Sequence, residues 1–347
     1  RVNIWQRIYN QSQAISPNCY MILEHLGQDD EEATLANLGM LLWGKMTNEF
    51  NQASMGYQSN SNFDRAFHTT RWSAYGGNNT PHLMAYAESH DEERLMWKNV
   101  NYGNAGVNHN VKLLSVSSRR MQAVAAFLFT IPGPKMMWQF GELAYDSSIN
   151  MCNTLQNSSC RVDAKPTAWA MPAGPNPNPT QPFTGPFQNY NANTFRKNLR
   201  DTVAKIVSLR TKYPQYLPAF TSNNVSFDLG GTFKWQRILS NAFNMVVIGN
   251  FDVNTVQNPF GLVTFPFAGT WYVYTHNIQP FDPFSSINPL LTAKSITVGN
   301  NNLAQQFFLP AGTFLLFTDR DVLAVVTQFS FTGNGNWSNT ANWANGQ

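Results

Sequence analysis

The chain has 347 residues, of which 43% are hydrophobic, 14% are aromatic and only 12% are charged. This composition excludes a disordered chain, and the length leaves room for two domains. The formal net charge of +3 is small and the lysines and arginines are scattered along the sequence, so we do not expect nucleic acid as a partner.

The N-terminal residues have a mixed pattern that predicts a strand-like segment, with neither a start methionine nor a signal peptide. We therefore expect the chain to begin within a longer protein. The apolar run at 124–138 is broken by two prolines and a glycine, and no run reaches the ~18 residues that a membrane span requires. We expect no membrane span.

Apolar runs in the first 140 residues predict an alternation of strands and helices. Buried strands are predicted at 19–27, 41–46, 82–89 and 135–140, and helices at 29–40, 63–75 and 115–130. Such alternation is typical of parallel strands that are covered on both faces. Ionisable residues follow three of these strands: Glu24 with His25, His90 with Asp91, and Glu142. In a (β/α) barrel, functional side chains lie at the carboxyl ends of the strands.

The second half of the chain changes character. A loop rich in proline and asparagine (171–187) precedes a predicted amphipathic helix at 195–213. Short β-branched runs separated by glycine, asparagine and proline then predict an all-β sandwich, with a hairpin at Gly230 and Gly231. We therefore expect barrel sequence at 1–218, the β-sandwich domain at 219–320, and a linker with the start of a further β-rich module at 321–347.

Three cysteines are present. Cys19 lies in a predicted strand and is best explained as a small buried apolar residue. Cys152 and Cys160 lie in one loop, without a histidine that would complete a metal site. A loop-closing disulfide formed in an oxidising compartment is favoured over two free thiols. With few charges and much asparagine, serine and threonine, this favours a secreted protein.

The segments "MILEHL", "AESHDEERLMWKN" and "IPGPKMMWQFGELAYD" together form a distinctive set. They resemble the second half of the catalytic barrel of the α-amylase family of retaining glycoside hydrolases, in its secreted bacterial form. The resemblance covers about residues 1–320. It implies a (β/α)8 or TIM barrel, of which only the C-terminal strands are present, followed by the all-β sandwich. It also implies cleavage of α-1,4 bonds in starch or glycogen, at a secreted or cell-surface location.

The resemblance assigns roles to individual residues. Glu24 matches the general acid/base, Asp91 matches the acid that stabilises the transition state, and His90 matches the histidine that contacts sugar hydroxyls. These residue types suit the chemistry, because glycosidic cleavage needs a proton donor, kept protonated by burial, and negative charge near an oxocarbenium-like centre. The side chains expected to contact substrate are Trp138, Glu142, Trp97 and His25, and for Glu142 a structural or cleft-lining role is favoured over direct chemistry.

Other candidate residues are weighed against ordinary structural roles. We favour the core for Trp43 and Trp72. No cofactor is indicated; the acids at 29–32 could bind calcium, as some family members do nearby, but a solvated helix start is favoured. The remaining histidines lack metal-ligand spacing.

Two departures from the family pattern affect the functional prediction. Ser89 stands where many hydrolytic members have asparagine, and Glu92 follows the His-Asp pair, which favours glucan-remodelling members. The family's nucleophile is an aspartate before the acid/base, yet residues 1–23 contain no acid. We therefore expect a fragment that lacks the nucleophile. The alternatives to an α-glucan hydrolase are a branching-enzyme-like transglycosylase and a non-catalytic glucan-binding surface protein.

Overall fold

The computed structural model describes residues 1–76, 80–106, 109–152, 159–169, 171–172, 187–254, 260–279, 294–323, 330–331 and 343–344. Its α-helices are α1 (Val2–Ile15), α2 (Asp29–Asn37), α3 (Thr47–Met55), α4 (His68–Arg71), α5 (Leu95–Tyr102), α6 (Leu114–Thr130) and α7 (Thr194–Thr211). Short 3-10 helices lie at Asp64–Ala66, Ser73–Tyr75, Gly141–Leu143, Tyr190–Ala192 and Pro214–Thr221.

The strands divide between a parallel sheet near the N-terminus and antiparallel sheets further on. They are β1 (Ile22–Leu23), β2 (Leu41–Lys45), β3 (Leu83–Tyr86), β4 (Met171–Pro172), β5 (Phe187–Gln188), β6 (Asn224–Asp228), β7 (Phe233–Leu239), β8 (Met245–Asn250), β9 (Phe260–Thr264), β10 (Gly269–His276), β11 (Ser295–Val298), β12 (Ala304–Phe308), β13 (Thr313–Thr318), β14 (Ser330–Phe331) and β15 (Trp343–Ala344). No helix in the described residues combines the length and apolar character needed to cross a bilayer.

The N-terminal segment is a helix, so the prediction of a strand-like start is wrong. Val2, Trp5 and Tyr9 of α1 recur at helical spacing and pack on the same hydrophobic core as Leu23 and Leu42. Ile4 and Ile8 lie on the other face and are exposed, so apolar residues occur on both faces and obscure the helical pattern. This helix and α2 contact each other beside the parallel sheet.

Three of the four predicted barrel strands are present. They form a parallel sheet in the order β1-β2-β3, with Leu23 paired to Leu42 and Leu42 to Leu83. Every residue of β3 is buried, as a strand covered on both faces requires. The first strand is shorter than predicted, since it covers only Ile22–Leu23 and leaves the partly buried Cys19 outside.

The predicted strand at 135–140 is wrong. Its backbone makes one parallel bridge, from Lys135 to Ala85, and then turns away. Prolines at 132 and 134 remove amide donors from the approach to this segment. The ammonium of Lys135 binds the carbonyls of Pro132 and Pro134 at 2.9 Å, which fixes the turn.

The predicted helices fare unevenly. Helices α2, α6 and α7 confirm the predictions, whereas the segment 63–75 breaks into single turns. Helices α3 and α5 were not predicted. Both are short, and α3 carries polar residues such as Asn51 and Ser54 on its buried side, where an apolar stripe would be expected.

The C-terminal region contains an antiparallel six-stranded sheet in the order β11-β10-β13-β8-β7-β6, and a second sheet of β12 and β9. Strands β6 and β7 form the predicted hairpin around Gly230 and Gly231. Both sheets contribute to one core, which includes Val246, Val263 and Trp271. Strands β14 and β15 pair beyond it, and the rest of 321–347 lies outside the described residues except 321–323.

Helix α6 joins the two regions. It packs against α7 and against β8 and β13, and one hydrophobic core includes its Phe127 together with Phe251 and Leu316. On the same helix, the fully buried guanidinium of Arg120 binds four backbone carbonyls at 2.6–2.9 Å, those of Ala53, Ser54, Phe251 and Asp252. Burial lowers the pKa of Arg120 to about 9, so the group stays charged at neutral pH.

His109 completes this buried group. Its Nε2 atom lies 3.1 Å from Arg120 Nη1. Because arginine only donates, Nε2 must accept, and the imidazole is neutral. Burial lowers the pKa of His109 to about 3, and the charge of Arg120 acts in the same direction.

This arrangement predicts acid sensitivity. Between about pH 6.5 and pH 3 the unfolded chain binds a proton at His109 that the folded chain does not. As the pH decreases through this range, the free energy of unfolding should fall by up to about 1.4 kcal/mol per pH unit. His109→Gln should flatten this part of the stability profile, as measured by urea unfolding at several pH values. The difference at pH 8, where neither state is protonated, reports the packing effect alone. An unchanged acid slope would contradict the assignment.

Candidate active site

The candidate site lies at the carboxyl ends of the parallel strands. Glu24 follows β1, and His90 and Asp91 follow β3. The nearest ligand atoms of the three side chains all lie within 4.8 Å of one another. His90 Nε2 is 3.8 Å from Glu24 Oε1 and 3.5 Å from Asp91 Oδ1. The structure therefore brings the three residues together, as their placement at strand ends indicates, and their catalytic roles stay predictions.

The side chains of this group are open to solvent. They are exposed by 42% for Glu24, 46% for His90 and 45% for Asp91. The expected burial of Glu24 is therefore absent in this structure. The reason is local, since β1 ends at Leu23 and Glu24 lies beyond the sheet.

A tight turn after β3 presents His90 and Asp91. Ser89 is buried; its hydroxyl donates to Glu92 and accepts from the Asp91 amide at 3.1 Å. Glu92 in turn pairs with Lys45 at the end of β2, at 2.5 Å. The two residues that depart from the family pattern, Ser89 and Glu92, therefore hold the turn to the neighbouring strand.

The disulfide between Cys152 and Cys160 is present, which confirms that prediction. It lies beside the site, because the adjacent Arg161 donates to Asp91, both to its carboxylate at 2.5 Å and to its carbonyl at 3.1 Å. Residues 153–158 of the closed loop lie outside the described residues. The guanidinium of Arg161 therefore partly neutralises the charge of Asp91, the acid to which it donates.

Two aromatic rings lie close to His90. The ring of Trp43 is 5.9 Å from the imidazole and that of Trp138 is 6.0 Å away. The core role favoured for Trp43 is wrong, since it is only partly buried and borders the site. Trp72 is fully buried, which confirms its core role. Trp97 contacts the ring of Tyr102 edge-on within α5, and its sugar contact stays a prediction.

Trp138 is the first residue of the segment 138–145, here called the cleft loop. A cavity of about 50 Å³ borders it, lined by Glu88, Trp138 and Glu142 among others. Glu88 is buried and accepts from the Leu95 amide at 2.7 Å, which anchors the start of α5. Burial raises the pKa of Glu88, and the positive charge of Arg94 opposes this shift. A Cβ atom on Gly141 would lie 2.5 Å from Glu88 Oε2, so any larger residue there would require the Glu88 carboxylate to shift.

His25 and the acids of α2 have structural partners. The side chain of His25 is 4% exposed and lies 3.3 Å from Glu31, which disfavours a substrate contact. The expectation that these acids form a solvated helix start is wrong for Glu32, which is fully buried and pairs with Arg71 at 3.0 Å. Asp29 pairs with Arg65 and Glu31 with Arg1, so, within the described part of the chain, arginines pair with three of the four acids predicted as possible calcium ligands, Asp30 being the exception.

Among the described residues, two groups could in principle hold a metal ion. One is Cys152, Cys160 and Asp163, in which the two cysteines are joined in a disulfide and have no free thiol. The other is Glu24, His90 and Asp91, which offers one nitrogen and two carboxylates. Calcium prefers six to eight oxygen ligands, so this second group does not suit it.

Sequence reasoning missed four residues of the site: Trp43, Glu88, Arg94 and Arg161. Glu88 and Arg94 flank the predicted His-Asp pair. Each is next to an apolar run in the sequence, and this was the one available indication that their charged groups would be buried. Arg161 lies 70 residues from its partner Asp91, and nothing in the local sequence indicates the contact.

Comparisons with known proteins place the fold. The sequence matches neither a protein-family model nor a curated protein. Among solved structures, the α-amylase from H. orenii aligns with a TM-score of 0.60 at 13% identity, over 92% of this chain and 57% of that one. A gamma-CGTase from alkalophilic Bacillus clarkii aligns with a TM-score of 0.53 at 13% identity, over 92% and 38%.

A third similar structure is AmyP in complex with maltose, with a TM-score of 0.53 at 11% identity, over 91% of this chain and 61% of that one. The chain thus spans little more than half the length of the α-amylase that it resembles. Identities this low establish the fold alone. Over most of its length, the chain shares the fold of α-amylase family structures.

Proposed function

We propose that this chain is the C-terminal part of the catalytic barrel, with the following β-sandwich, of a retaining glycoside hydrolase that cleaves α-1,4 bonds in starch or glycogen. In this proposal Glu24 is the general acid/base, Asp91 stabilises the transition state, and His90 binds hydroxyls of the sugar at the cleavage point. Strands β1, β2 and β3 are then consecutive strands of a (β/α)8 barrel.

One observation carries the proposal. Two carboxylates and an imidazole, supplied by two different strand ends, lie within 4.8 Å of one another on an open surface. A proton donor and a stabilising negative charge are the groups that glycosidic cleavage needs. Trp43 and Trp138, both close to His90, add flat apolar faces on which a sugar ring could stack. The names of the similar structures, an amylase and a maltose complex among them, agree with an α-glucan.

The proposal requires one more group. A retaining enzyme uses a carboxylate nucleophile about 5–5.5 Å from the acid/base. Residues 1–23 contain no acid, and Asp91, paired with Arg161, serves the stabilising role. We propose that the nucleophile lies outside these 347 residues. The disulfide supports a secreted or cell-surface location, because such bonds persist in oxidising compartments.

A glucan-remodelling transglycosylase is the second candidate. Ser89 and Glu92 favour it, since their hydrogen bonds replace the usual asparagine in shaping the turn. A glucan-binding protein without catalysis is the third. Product analysis separates the first two, because only transglycosylation yields chains longer than the supplied oligosaccharide.

The proposal is tested by calorimetric titration of the 347-residue protein with maltoheptaose. We expect binding, and we expect His90→Ala to weaken it about tenfold, the loss of one hydrogen bond. His82→Ala is the matched control, because His82 lies directly before the amino end of β3, whereas His90 follows its carboxyl end. Absence of glucan binding by the unmodified protein, or equal weakening by both variants, would contradict the proposal.

A further inference from the structure

Arg94 is an unusual residue beside the site. It precedes α5, and only 6% of its surface is exposed. Its Nη1 atom is buried without a hydrogen-bond partner among the described residues. A guanidinium in such a place is costly unless something else stabilises it. Its surroundings therefore indicate what the residue does.

The negative charge of the neighbouring Glu88 stabilises it, and so do two aromatic rings. The guanidinium carbon lies 5.6 Å from the centre of the Trp138 ring and 5.0 Å from that of Tyr145. Both distances fall within the range in which a cation is attracted to a ring face. Trp138 and Tyr145 are the first and last residues of the cleft loop, so Arg94 links its two ends.

The cleft loop needs such a link. Phe140 and Ala144 both have left-handed backbone conformations, with φ of 64° and 52°. Side chains other than glycine adopt this conformation only when their surroundings impose it. Arg196, which is also buried, donates to the carbonyls of Leu143 and Ala144. Arg94 is the corresponding contact on the side that carries Trp138.

We propose that Arg94 is a positioning residue that holds Trp138 against His90 and thereby fixes one wall of the cleft. The chain of contacts runs from Arg94 to the Trp138 ring and from that ring to the imidazole of His90, 6.0 Å away. Arg94 need not touch substrate in this role. The statement about a glucan cleft rests on the proposed function, whereas the placement of Trp138 does not.

The placement is tested by NMR of the histidine Hε1 signals, with that of His90 assigned from its loss in His90→Gln. Trp138→Leu defines the change in the His90 signal when the indole ring is removed. We expect Arg94→Met to move the signal in the same direction by at least half as much, because the released ring no longer stays over the imidazole. Lys98→Met, one turn along α5 and placed over Tyr102, should leave the signal unchanged.

Arg94→Lys covers the case in which Arg94→Met does not fold, as judged by circular dichroism. Its ammonium keeps the charge but cannot lie flat between two rings, so a smaller movement in the same direction is expected. A His90 signal at the wild-type position in the folded Arg94 variant overturns the proposal. So does a signal that Trp138→Leu fails to move, since the ring would then not border His90.

Titration with maltoheptaose adds the functional consequence. We expect Arg94→Met to raise its dissociation constant about fivefold to tenfold, and Lys98→Met to leave it unchanged. If the NMR signal moves as expected but the unmodified protein binds no glucan, the proposed function fails and the positioning role stands. If glucan binds normally in Arg94→Met and the signal does not move, the positioning role fails alone.

Discussion

Replacing Glu24 by glutamine should lower the rate of α-glucan cleavage by about 10²–10⁴-fold, the usual contribution of a general acid/base. Glutamine keeps the size of the side chain and its hydrogen bonding, but it cannot give a proton to the leaving oxygen. The measurement is release of reducing sugar from starch, made on the protein together with the segment that supplies the nucleophile. Binding of maltoheptaose should change little, because the lost interaction belongs to the transition state.

The matched control is Asp228→Asn, at the end of β6 in the antiparallel sheet, where the side chain is exposed. It removes one carboxylate without touching the site, so activity should be unchanged. Thermal unfolding of both variants separates catalysis from stability. Full activity in Glu24→Gln would show that another group donates the proton, and the assignment of Glu24 would have to be abandoned.

Arg120→Met should lower the free energy of unfolding by about 3–5 kcal/mol, the largest stability effect we expect in this chain. Methionine follows the path of the arginine stem, but it removes a donor from four carbonyls, of which, among the described residues, only that of Ala53 also accepts from a backbone amide, that of Gly56. Each unpaired group costs about 1–3 kcal/mol, although rearrangement recovers part of the sum. Urea unfolding followed by circular dichroism provides the measurement.

Arg320→Met is the control for this experiment, because Arg320 is exposed and such surface changes usually alter stability by less than about 0.5 kcal/mol. Arg120→Lys should fall between the two, since an ammonium can satisfy some of the carbonyls. A loss below about 1 kcal/mol in Arg120→Met would mean that water replaces the guanidinium, and the buried group would not be the junction that the contacts indicate.

The parts of the site that follow from local sequence were predictable. The apolar run that becomes β3 is buried along its whole length, and ionisable residues directly after such a strand must come to its edge. The nearness of Glu24 to Asp91 then follows from parallel pairing. Helix α1 was missed because the exposed Ile4 and Ile8 add apolar residues to its other face, so that the helical spacing of Val2, Trp5 and Tyr9 is visible only once a partner surface is known.

Contacts between distant segments could not be predicted in this way. The partner of Asp91 is Arg161, which reaches it from the segment next to the disulfide. The strand predicted at 135–140 had the right composition, but the turn fixed by Lys135 redirects it after one bridge. In both cases the outcome depends on where a loop returns in space, which local propensity does not encode.

Helix α6 has consequences for how such a chain can change over time. Its buried residues include Phe127, which packs between Phe63 and Phe251, and so it contacts both the parallel-sheet region and the antiparallel sheet. A core shared in this way makes the two regions unfold together rather than one after the other. If recombination joined a different β-sheet unit to the parallel-sheet region, that unit would have to pack on a surface of α6 that is complementary to the present antiparallel sheet. The two regions should therefore be inherited together, and substitutions at Phe127 and Phe251 should be correlated in evolution.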